Sequence, residues 1–444
     1  MSDFINISGL TTLSHEDQGG HYLVQVKGAV EPQQCPECDT MLFHKHGTQK
    51  QSYMDTPMHG KRVLLEIARQ RYKCQDCGKT FFGPLPGMDS KRQATSRLIG
   101  YIEQRCMQET FVALAREVGV DEKTVRYVFD DYVIRKKSEV QFKTPEILGI
   151  DEVKIIGSYR AMLTNIDRLS IFDMLQSRMK VSLLDYFEAL PDKQNVHTLV
   201  MDMWGPYRQI GRKIFPGKLI VVDKFHVVRM ANDGLERVRK RIRKTLDHKT
   251  RIKLKDDRFT LLKRRHTLSE DQTAKANKWF ELFPELGAAY EAKERFYDIY
   301  VQPTREAAEI AAERWTGNLP TEIEKDFRDL RVALRNWNQE IMNFYEQPVT
   351  NAYTESVNSV ARFINRIGRG YSFEVLRARL LYNDQALKDS STSVRKKVRK
   401  PRPSQDSFTL GRTMAETDQY EETTTNYGPY IPTLVKLLEE GFFL

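Results

Sequence analysis

Residues 147–155 read ILGIDEVKI, a short apolar and β-branched stretch with Asp151 near its middle. Such a run predicts a buried β-strand. The pattern continues along the chain: residues 159–175 predict two strands, 180–190 a helix, 195–204 a strand and 218–228 a last strand. Between the last two strands, residues 205–216 predict another helix.

The predicted elements follow the order strand-strand-strand-helix-strand-helix-strand, which is typical of a ribonuclease H-like α/β core. In that order one acidic ligand belongs on the first strand and a second just after the fourth. Asp151 and Asp202 occupy these places. Asp223, at the end of the last strand, competes for the second place. We favour Asp202 because one helix and one strand still follow it, as the fold requires.

A third acidic residue, Glu355, lies in the helical pattern TNAYTESVNSVARFI of residues 350–364. Asn351, Glu355 and Asn358 are spaced by four and three residues and therefore share one helix face. Two amides beside a carboxylate suit a metal ligand that is held by hydrogen bonds. The alternative is a polar helix face exposed to water.

Two strand-borne aspartates and one helix-borne glutamate predict a site for two Mg²⁺ or Mn²⁺ ions, held by Asp151, Asp202 and Glu355. Hard cations of this kind prefer oxygen ligands. A metal pair about 3.5–4 Å apart activates a water or a 3′-hydroxyl and stabilises the leaving oxygen of a phosphodiester. The predicted chemistry is polynucleotide cleavage or strand transfer.

The charge balance favours a nucleic-acid partner. The 444 residues include 70 Lys and Arg against 60 Asp and Glu, a formal net charge of +10. The excess is concentrated between Glu236 and Arg265, with 14 basic and 4 acidic residues. A second basic cluster spans residues 395–400. A field of this sign attracts phosphates, although many basic proteins bind no nucleic acid.

Four of the five cysteines form two Cys-x-x-Cys pairs, Cys35 with Cys38 and Cys74 with Cys77. This spacing lets two thiolates approach one tetrahedral zinc ion. The residues between the pairs predict strands joined at His59 and Gly60, which would bring the pairs together. The sequence therefore predicts a structural zinc ribbon; redox thiols, or ligation by nearby histidines (His44, His46, His59), are alternatives. Cys106 is predicted to be a buried apolar residue.

Residues 111–136 predict a helix from Phe111 to Val118, a turn at residues 119–121, and a second helix capped by Asp121. This is the spacing of a helix-turn-helix. Its groove-facing residues would be Glu122, Lys123, Thr124 and Arg126. An ordinary pair of packed helices is the alternative.

Residues 229–349 predict long amphipathic helices with few β-branched clusters. The basic helix near residues 238–255, with Arg239, Lys240 and Arg243, is a candidate for neutralising DNA phosphates, or else a solvated charged face. Trp315 is a candidate for stacking on a displaced base. For any one tryptophan, core packing is the favoured alternative.

Taken together, the motifs CPEC and CQDCGKTF, the helix-turn-helix, GIDE, DMWGPY, VDKFHVV and NAYTESVNS resemble the DDE transposases of bacterial insertion sequences, of the ISL-three family. The resemblance spans about residues 35–382. It implies that Asp151, Asp202 and Glu355 are the catalytic triad. It also implies that Asp223 and His226 form a D-x-x-H signature that supports the active site or contacts the DNA; a structural cap is the alternative for His226.

The resemblance implies a transposase that binds the terminal inverted repeats of its element, cleaves them and joins them to target DNA, as a homodimer or larger assembly. The predicted domains are a zinc ribbon (1–90), a helix-turn-helix (91–140), the core in two parts (145–228 and 350–388), an all-α insertion (229–349) and a flexible basic tail with a short helix (389–444). No membrane span or signal peptide is predicted, so a bacterial cytoplasmic, nucleoid-associated protein is expected. An inert DNA-binding regulator and a nuclease without strand transfer are the alternatives.

Overall fold

The computed structural model describes residues 5–28 and 30–383, which form two compact units with the boundary between Gln141 and Phe142. The predicted tail and its short helix, residues 389–444, lie outside the described residues. Within the described part, no helix has the length and apolarity needed to cross a membrane.

The N-terminal unit contains a five-stranded sheet. Its strands are β1 (Thr11–Asp17), β2 (His21–Lys27), β3 (Phe43–Met58), β4 (Lys61–Cys74) and β5 (Thr80–Phe82), in the order β1-β2-β4-β3 with β5 on β4. The predicted hairpin is present: β3 and β4 pair antiparallel, and His59 and Gly60 both have positive φ at the turn. Strands β1 and β2 were not predicted, and β2 pairs parallel to β4.

Three helices complete this unit: α1 (Ser96–Arg105), α2 (Phe111–Val118) and α3 (Glu122–Glu139). The helix-turn-helix is confirmed. Asp121 caps α3 by accepting a hydrogen bond from the Thr124 amide. Gly119 ends α2 with φ of +80°, and a Cβ there would lie 2.7 Å from side-chain atoms of Arg62 and Met54. Both the turn and the close approach to the sheet therefore require glycine.

The second unit is built on a sheet of strands β6 (Ile147–Ile155), β7 (Ser158–Asn165), β8 (Ser170–Leu175), β9 (Thr198–Met201) and β10 (Leu219–Val222). Their order is β10-β9-β6-β7-β8; β6, β9 and β10 run parallel, whereas β7 is antiparallel to β6 and β8. Helices α4 (Lys180–Glu188) and α5 (Gly205–Ile214) fall at the predicted places. The mixed α/β core is confirmed.

The remaining elements are helical: α6 (Lys224–Arg243), α7 (His248–Asp256), α8 (Arg258–Leu262), α9 (Glu270–Leu282), α10 (Pro284–Ile299), α11 (Arg305–Gly317), α12 (Arg328–Met342), α13 (Ala352–Gly368) and α14 (Phe373–Leu381). Helices α4 to α12 share one continuous hydrophobic core with the face of the sheet that carries Leu148 and Ile150.

The other face of the sheet packs against α13 and α14. Val153 and Ile155 of β6 meet Val357 and Ala361 of α13 in a second core cluster. Because alternate residues of a strand point to opposite faces, Asp151 shares the face of Val153 and faces α13. The packing of α13 on β6 therefore sets the distance between the first aspartate and Glu355.

Candidate active site

Four acidic residues lie at one edge of the second sheet. Asp151 lies on β6, Asp202 and Asp223 immediately follow β9 and β10, and Glu355 lies in the first turn of α13. The three strands are parallel, so their carboxyl ends meet at one edge, where open α/β sheets place their sites. The fold thus brings together residues that are 204 positions apart (355 minus 151).

His226 lies among three of these carboxylates. Its Nδ1 is 2.9 Å from Asp202 Oδ1 and 3.2 Å from Asp223 Oδ2, and its Nε2 is 3.9 Å from Glu355 Oε1. Burial alone would lower the pKa of His226, but the short contacts of Nδ1 with the Asp202 and Asp223 carboxylates outweigh it and raise the pKa to about 11. The imidazole is therefore cationic at neutral pH and offsets part of the negative charge of the site.

Asp223 is fully buried, and both of its carboxylate oxygens are engaged. Oδ2 pairs with His226, and Oδ1 accepts hydrogen bonds from the backbone amides of Asn351 (3.1 Å) and Phe225 (3.4 Å). Asp223 thereby caps α6 and fixes the start of α13. These roles leave its oxygens less available to a cation than those of Asp202.

Asp202 has the property expected of a metal ligand. Its Oδ1 is buried and accepts no aligned hydrogen bond; its close partner is His226 Nδ1, 2.9 Å away. Ligand atoms of Asp202, Asp223 and His226 lie within 4.8 Å of one another, a spacing that fits a divalent cation. Both oxygens of Asp223 accept hydrogen bonds, whereas those of Asp202 accept none that are aligned, so Asp202 is the more accessible candidate ligand.

Asp151 is almost fully buried. Its Oδ2 accepts a hydrogen bond from Asn358 Nδ2 at 2.7 Å, and its Oδ1 accepts one from the Glu152 amide at 2.7 Å. Burial, and then the nearby Asp202 charge, raise the pKa of Asp151 to about 8. Burial and Asp223 raise the pKa of Glu355 to about 7. Carboxylates that repel one another in this way need a cation to ionise together.

Two features of this site were not predicted from the sequence. Gly149 lies where a Cβ would come within 2.8 Å of the side-chain oxygens of Thr164, Asn351 and Thr354. The hydroxyls of Thr164 and Thr354 are 2.6 Å apart, joining β7 to α13. A glycine inside a strand, two residues before an aspartate, was the available signal for close approach by another element.

The four paired cysteines converge in the N-terminal unit. Cys35 Sγ lies 3.7 Å from Cys77 Sγ, and Cys38 Sγ lies 3.6 Å from Cys74 Sγ. A tetrahedron with Zn–S bonds of about 2.3 Å has S–S edges of about 3.8 Å, so the thiols fit one zinc ion. Among the described residues, this cluster includes no histidine. Cys106 is buried, as expected.

The four groove-facing side chains predicted for α3 are accessible, but three of them are already engaged: Glu122, Thr124 and Arg126. Lys123 and Arg126 are exposed and Thr124 is half-buried. Arg126 donates to Glu122 Oε1 at 2.8 Å, and the Thr124 hydroxyl donates to Asp121 Oδ2 at 3.1 Å. Lys123 is therefore the one of the four that forms no ion pair or hydrogen bond with another side chain of α3.

Two predicted DNA contacts lie in the protein interior. Arg239 is 2% exposed and donates to both carboxylate oxygens of Glu236 and to the Leu254 carbonyl. Trp315 is 4% exposed, and its Nε1 donates to the Ala292 carbonyl at 2.7 Å. The placement contradicts a DNA-contact role for both in this conformation: each fills the helical core. Lys240 is exposed and Arg243 half-buried on α6, where phosphates can reach them.

A ribonuclease H-like sheet with acidic residues at its strand ends, preceded by a zinc ribbon and a helix-turn-helix, defines a DNA-processing enzyme. Residues 148–380 match a family model described as a transposase, the DDE domain of the ISL3 type. Residues 31–77 match the zinc finger of transposases IS204, IS1001, IS1096 and IS1165, and residues 84–133 match the helix-turn-helix domain of transposase family ISL3. Since the first match covers more than half of the chain, the protein belongs to the ISL3 family of transposases.

A curated relative agrees with this family. The chain is 22% identical over 363 residues to the transposase for insertion sequence element IS1001 of Bordetella parapertussis. The alignment covers 80% of this chain and 89% of that protein. The similarity extends over nearly the full length of the relative.

Proposed function

We propose that this transposase binds the terminal inverted repeats of its insertion sequence, cleaves the DNA there and joins the released 3′ end to target DNA, with Asp151, Asp202 and Glu355 as catalytic residues. The observation that carries the proposal is the convergence of the three carboxylates, which are close enough that, besides burial, the charge of Asp202 raises the pKa of both Asp151 and Glu355. A divalent cation there would let the three ionise together.

Mg²⁺ or Mn²⁺ held by the three carboxylates would supply an activated water or 3′-hydroxyl and neutralise charge on the phosphodiester. The chain contributes orientation. Asn358 fixes Asp151, and Asn351 ties the start of α13 to β6 by donating from Nδ2 to the Ile150 carbonyl at 3.0 Å. His226 is held by Asp223 and faces both Asp202 and Glu355, so its position aligns the second ligand with the third.

Zinc bound by Cys35, Cys38, Cys74 and Cys77 would stabilise the N-terminal unit. The Cys77 amide hydrogen-bonds to Cys74 Sγ, and this contact lowers the pKa of the Cys74 thiol to about 7, whereas burial and the neighbouring thiols raise the pKa of Cys38 and Cys77 in the metal-free cluster. A thiolate is the form that binds zinc. The site has four sulfur ligands and no open position, which is the pattern of a structural rather than a catalytic zinc.

DNA recognition is assigned to the exposed basic residues of two surfaces. Lys123 and Arg126, with Thr124, lie at the start of α3, where the second helix of a helix-turn-helix enters the major groove. Lys240 and Arg243 lie on α6 and would contact phosphates without reading sequence. Both ends of an element must be held during transposition, so we infer a dimer or a larger assembly on the DNA.

The test is a strand-transfer reaction. Purified protein is incubated with Mg²⁺, a labelled duplex carrying the terminal repeat of its own element, and a supercoiled plasmid, and products are resolved on a denaturing gel. The expected result is label joined to plasmid. Asp151→Ala and Glu355→Gln should bind the duplex as the wild type does but yield no cleavage.

Three other outcomes would contradict the proposal or part of it. Cleavage without joined product, under conditions in which the two ends assemble, identifies a nuclease. Binding without cleavage by the wild type identifies a DNA-binding regulator. Cleavage retained by Asp151→Ala or Glu355→Gln would refute the assignment of the triad.

A further inference from the structure

Four side chains near the active site form an alternating row of aromatic rings and cations, here termed the cation–aromatic ladder: Trp204, Arg178, Tyr159 and Lys154. The Arg178 guanidinium lies 4.9 Å from the centre of the Trp204 ring and 4.2 Å from the centre of the Tyr159 ring. Lys154 Nζ lies 5.7 Å from the Tyr159 ring. All three distances are within the range of favourable cation–π contacts.

The ladder is built by the fold and is rigid at its centre. Lys154 on β6 and Tyr159 on β7 are directly opposite each other in the antiparallel pair, so their side chains share one face. Arg178 reaches them from the connection between β8 and α4 and forms an ion pair with Glu152, two residues before Lys154. Arg178 is thus held by two rings and one carboxylate, and it fixes the ring of Tyr159.

The outer part of the ladder is open to solvent. Tyr159 is 44% exposed and Lys154 is exposed. Glu152 balances the charge of Arg178, whereas Lys154 has no acidic partner among the described residues that would balance its own. Met179 and Val181, which follow Arg178, are also exposed, at 63% and 69%. An exposed ring beside an uncompensated cation is the combination by which proteins bind single-stranded nucleic acid.

The ladder begins next to the candidate catalytic acids in the chain, where Trp204 follows Asp202 by two residues. Lys154 follows Asp151 by three on β6, so the ladder extends along the face of this strand opposite Asp151. β9 ends at Met201, opposite Ile150, so β6 and β7 extend beyond it as a two-stranded ribbon. Three residues of strand span roughly 10 Å, which is the length of one or two nucleotides of DNA.

We propose that the ladder binds the DNA strand next to the phosphodiester held at the active site, with Tyr159 stacking on a base and Lys154 contacting a phosphate. This inference rests on the proposed function, because it takes the triad as the place of cleavage. The partner is nucleic acid rather than protein because the exposed cation and ring match a phosphate and a base, the two groups that single strands present. Arg178 acts through Tyr159 as its support.

The experiment measures binding without catalysis, in the Glu355→Gln background. The probe is a terminal-repeat duplex with the fluorescent base 2-aminopurine at each of the positions flanking the cut, one per duplex. Stacking on Tyr159 is expected to change its fluorescence at one or two of them. Tyr159→Ala should abolish this change and weaken binding roughly 5- to 100-fold, whereas Tyr159→Phe should retain both.

Lys154→Ala tests the phosphate contact independently of the ring. Removing one phosphate contact should reduce the slope of log affinity against log salt by about 0.7 to 0.9. The matched control is Lys325→Ala, which removes an exposed lysine of the helical segment and should leave the slope unchanged. A slope unchanged by Lys154→Ala would overturn the phosphate assignment.

Two results would overturn the DNA assignment of Tyr159. If Tyr159→Ala lowers the melting temperature but leaves affinity and fluorescence unchanged, the ladder only stabilises the β6–β7 ribbon. If it leaves affinity unchanged but lowers the mass of the assembly in light scattering, the surface binds a second copy. Failure of the proposed function can be distinguished from failure of this inference. In the first case the wild type would not join strands, yet the fluorescence change that depends on Tyr159 would persist.

Discussion

Asn358 Nδ2 lies 2.7 Å from Asp151 Oδ2, joining two buried side chains that are 207 residues apart. The contact links the α13 helix, which carries Glu355, to the β6 strand, which carries the first aspartate. Since a carboxylate that binds a metal must also be oriented, this amide determines how two of the three acids approach a common cation.

Replacing Asn358 with Ala should lower the cleavage rate and the apparent Mg²⁺ affinity about 10- to 100-fold, the usual effect of removing a group that orients a ligand. The measurement is the initial cleavage rate across a Mg²⁺ titration. Asn365→Ala is the matched control: it is a half-buried asparagine two turns further along α13. An Asn358→Ala rate equal to that of the control would show that Asp151 is oriented without the amide.

The neighbouring residues Arg239 and Lys240 should separate stability from DNA binding. Arg239→Ala leaves Glu236 buried with one cation fewer, and breaking a buried pair costs about 3–5 kcal/mol of unfolding free energy. Arg258, 3.0 Å from Glu236, compensates part of this loss. Lys240→Ala should leave stability unchanged and weaken binding to the terminal repeat. Urea unfolding measures the stability of both variants, and gel-shift titration measures their DNA binding. A loss of stability in Lys240→Ala, with weaker DNA binding alone in Arg239→Ala, would contradict the placement of these residues.

Zinc removal should unfold part of the N-terminal unit. We expect one zinc per chain, released on denaturation and detected with a colorimetric chelator, and lost in Cys38→Ser and Cys77→Ser. Cys106→Ala should retain the metal because Cys106 lies outside the four-sulfur cluster. Chelation should also lower terminal-repeat binding. Zinc retained at one per chain by both serine variants would show that other ligands hold it.

The stability of the metal-free protein should fall as the pH rises. The pKa values of Asp151 and Glu355 are raised by burial to about 8 and about 7, so the folded state keeps protons that the unfolded chain loses above about pH 4. This contribution is therefore complete at low pH and is lost as the pH rises toward about 8. His226, with its pKa raised to about 11, changes stability in the same direction above about pH 6.5.

Thermal unfolding checks this expectation. The melting temperature without metal should be lower at about pH 8.5 than at about pH 6, and Mg²⁺ should raise it more at the higher pH, where both carboxylates can ionise. Asp151→Asn should reduce both effects. A melting temperature that rises with pH in the absence of metal would mean that the carboxylates already ionise in the folded protein.

Much of the fold follows from local patterns. The bounds of α2 and the cap of α3 were predictable because Gly119 and Asp121 satisfy backbone requirements within a few residues. The short apolar, β-branched runs likewise predicted β6 to β10. The hairpin of β1 and β2, which turns at Gly19 and Gly20, was missed. The place of β2 in the sheet could not be predicted locally because its other partner, β4, lies about 40 residues away and pairs with it in parallel.

Among the predicted functional residues, too, local patterns identified some correctly and could not settle others. The acids, the paired cysteines and the amides of α13 were recognisable from residue type and spacing. Arg239 and Trp315 were assigned to DNA because arginine and tryptophan suit that role, but the structure places both in the helical core. Whether a side chain is buried depends on how the helices pack. The sequence pattern of a basic helix does not show whether an arginine is exposed or, like Arg239, is buried and paired with an acidic residue.

Residue type and short-range spacing were thus sufficient for the order of the elements, the four zinc-binding candidates and the three candidate catalytic acids, because these depend on backbone propensity and ligand chemistry within a few residues. The partners of those acids were not readable in the chain. That Asn358 donates to Asp151, that Asp223 accepts from the start of α13, and that His226 lies 2.9 Å from Asp202 depend on contacts between residues far apart in sequence. Only the packing of α13 and α6 against the sheet brings those residues within hydrogen-bonding distance.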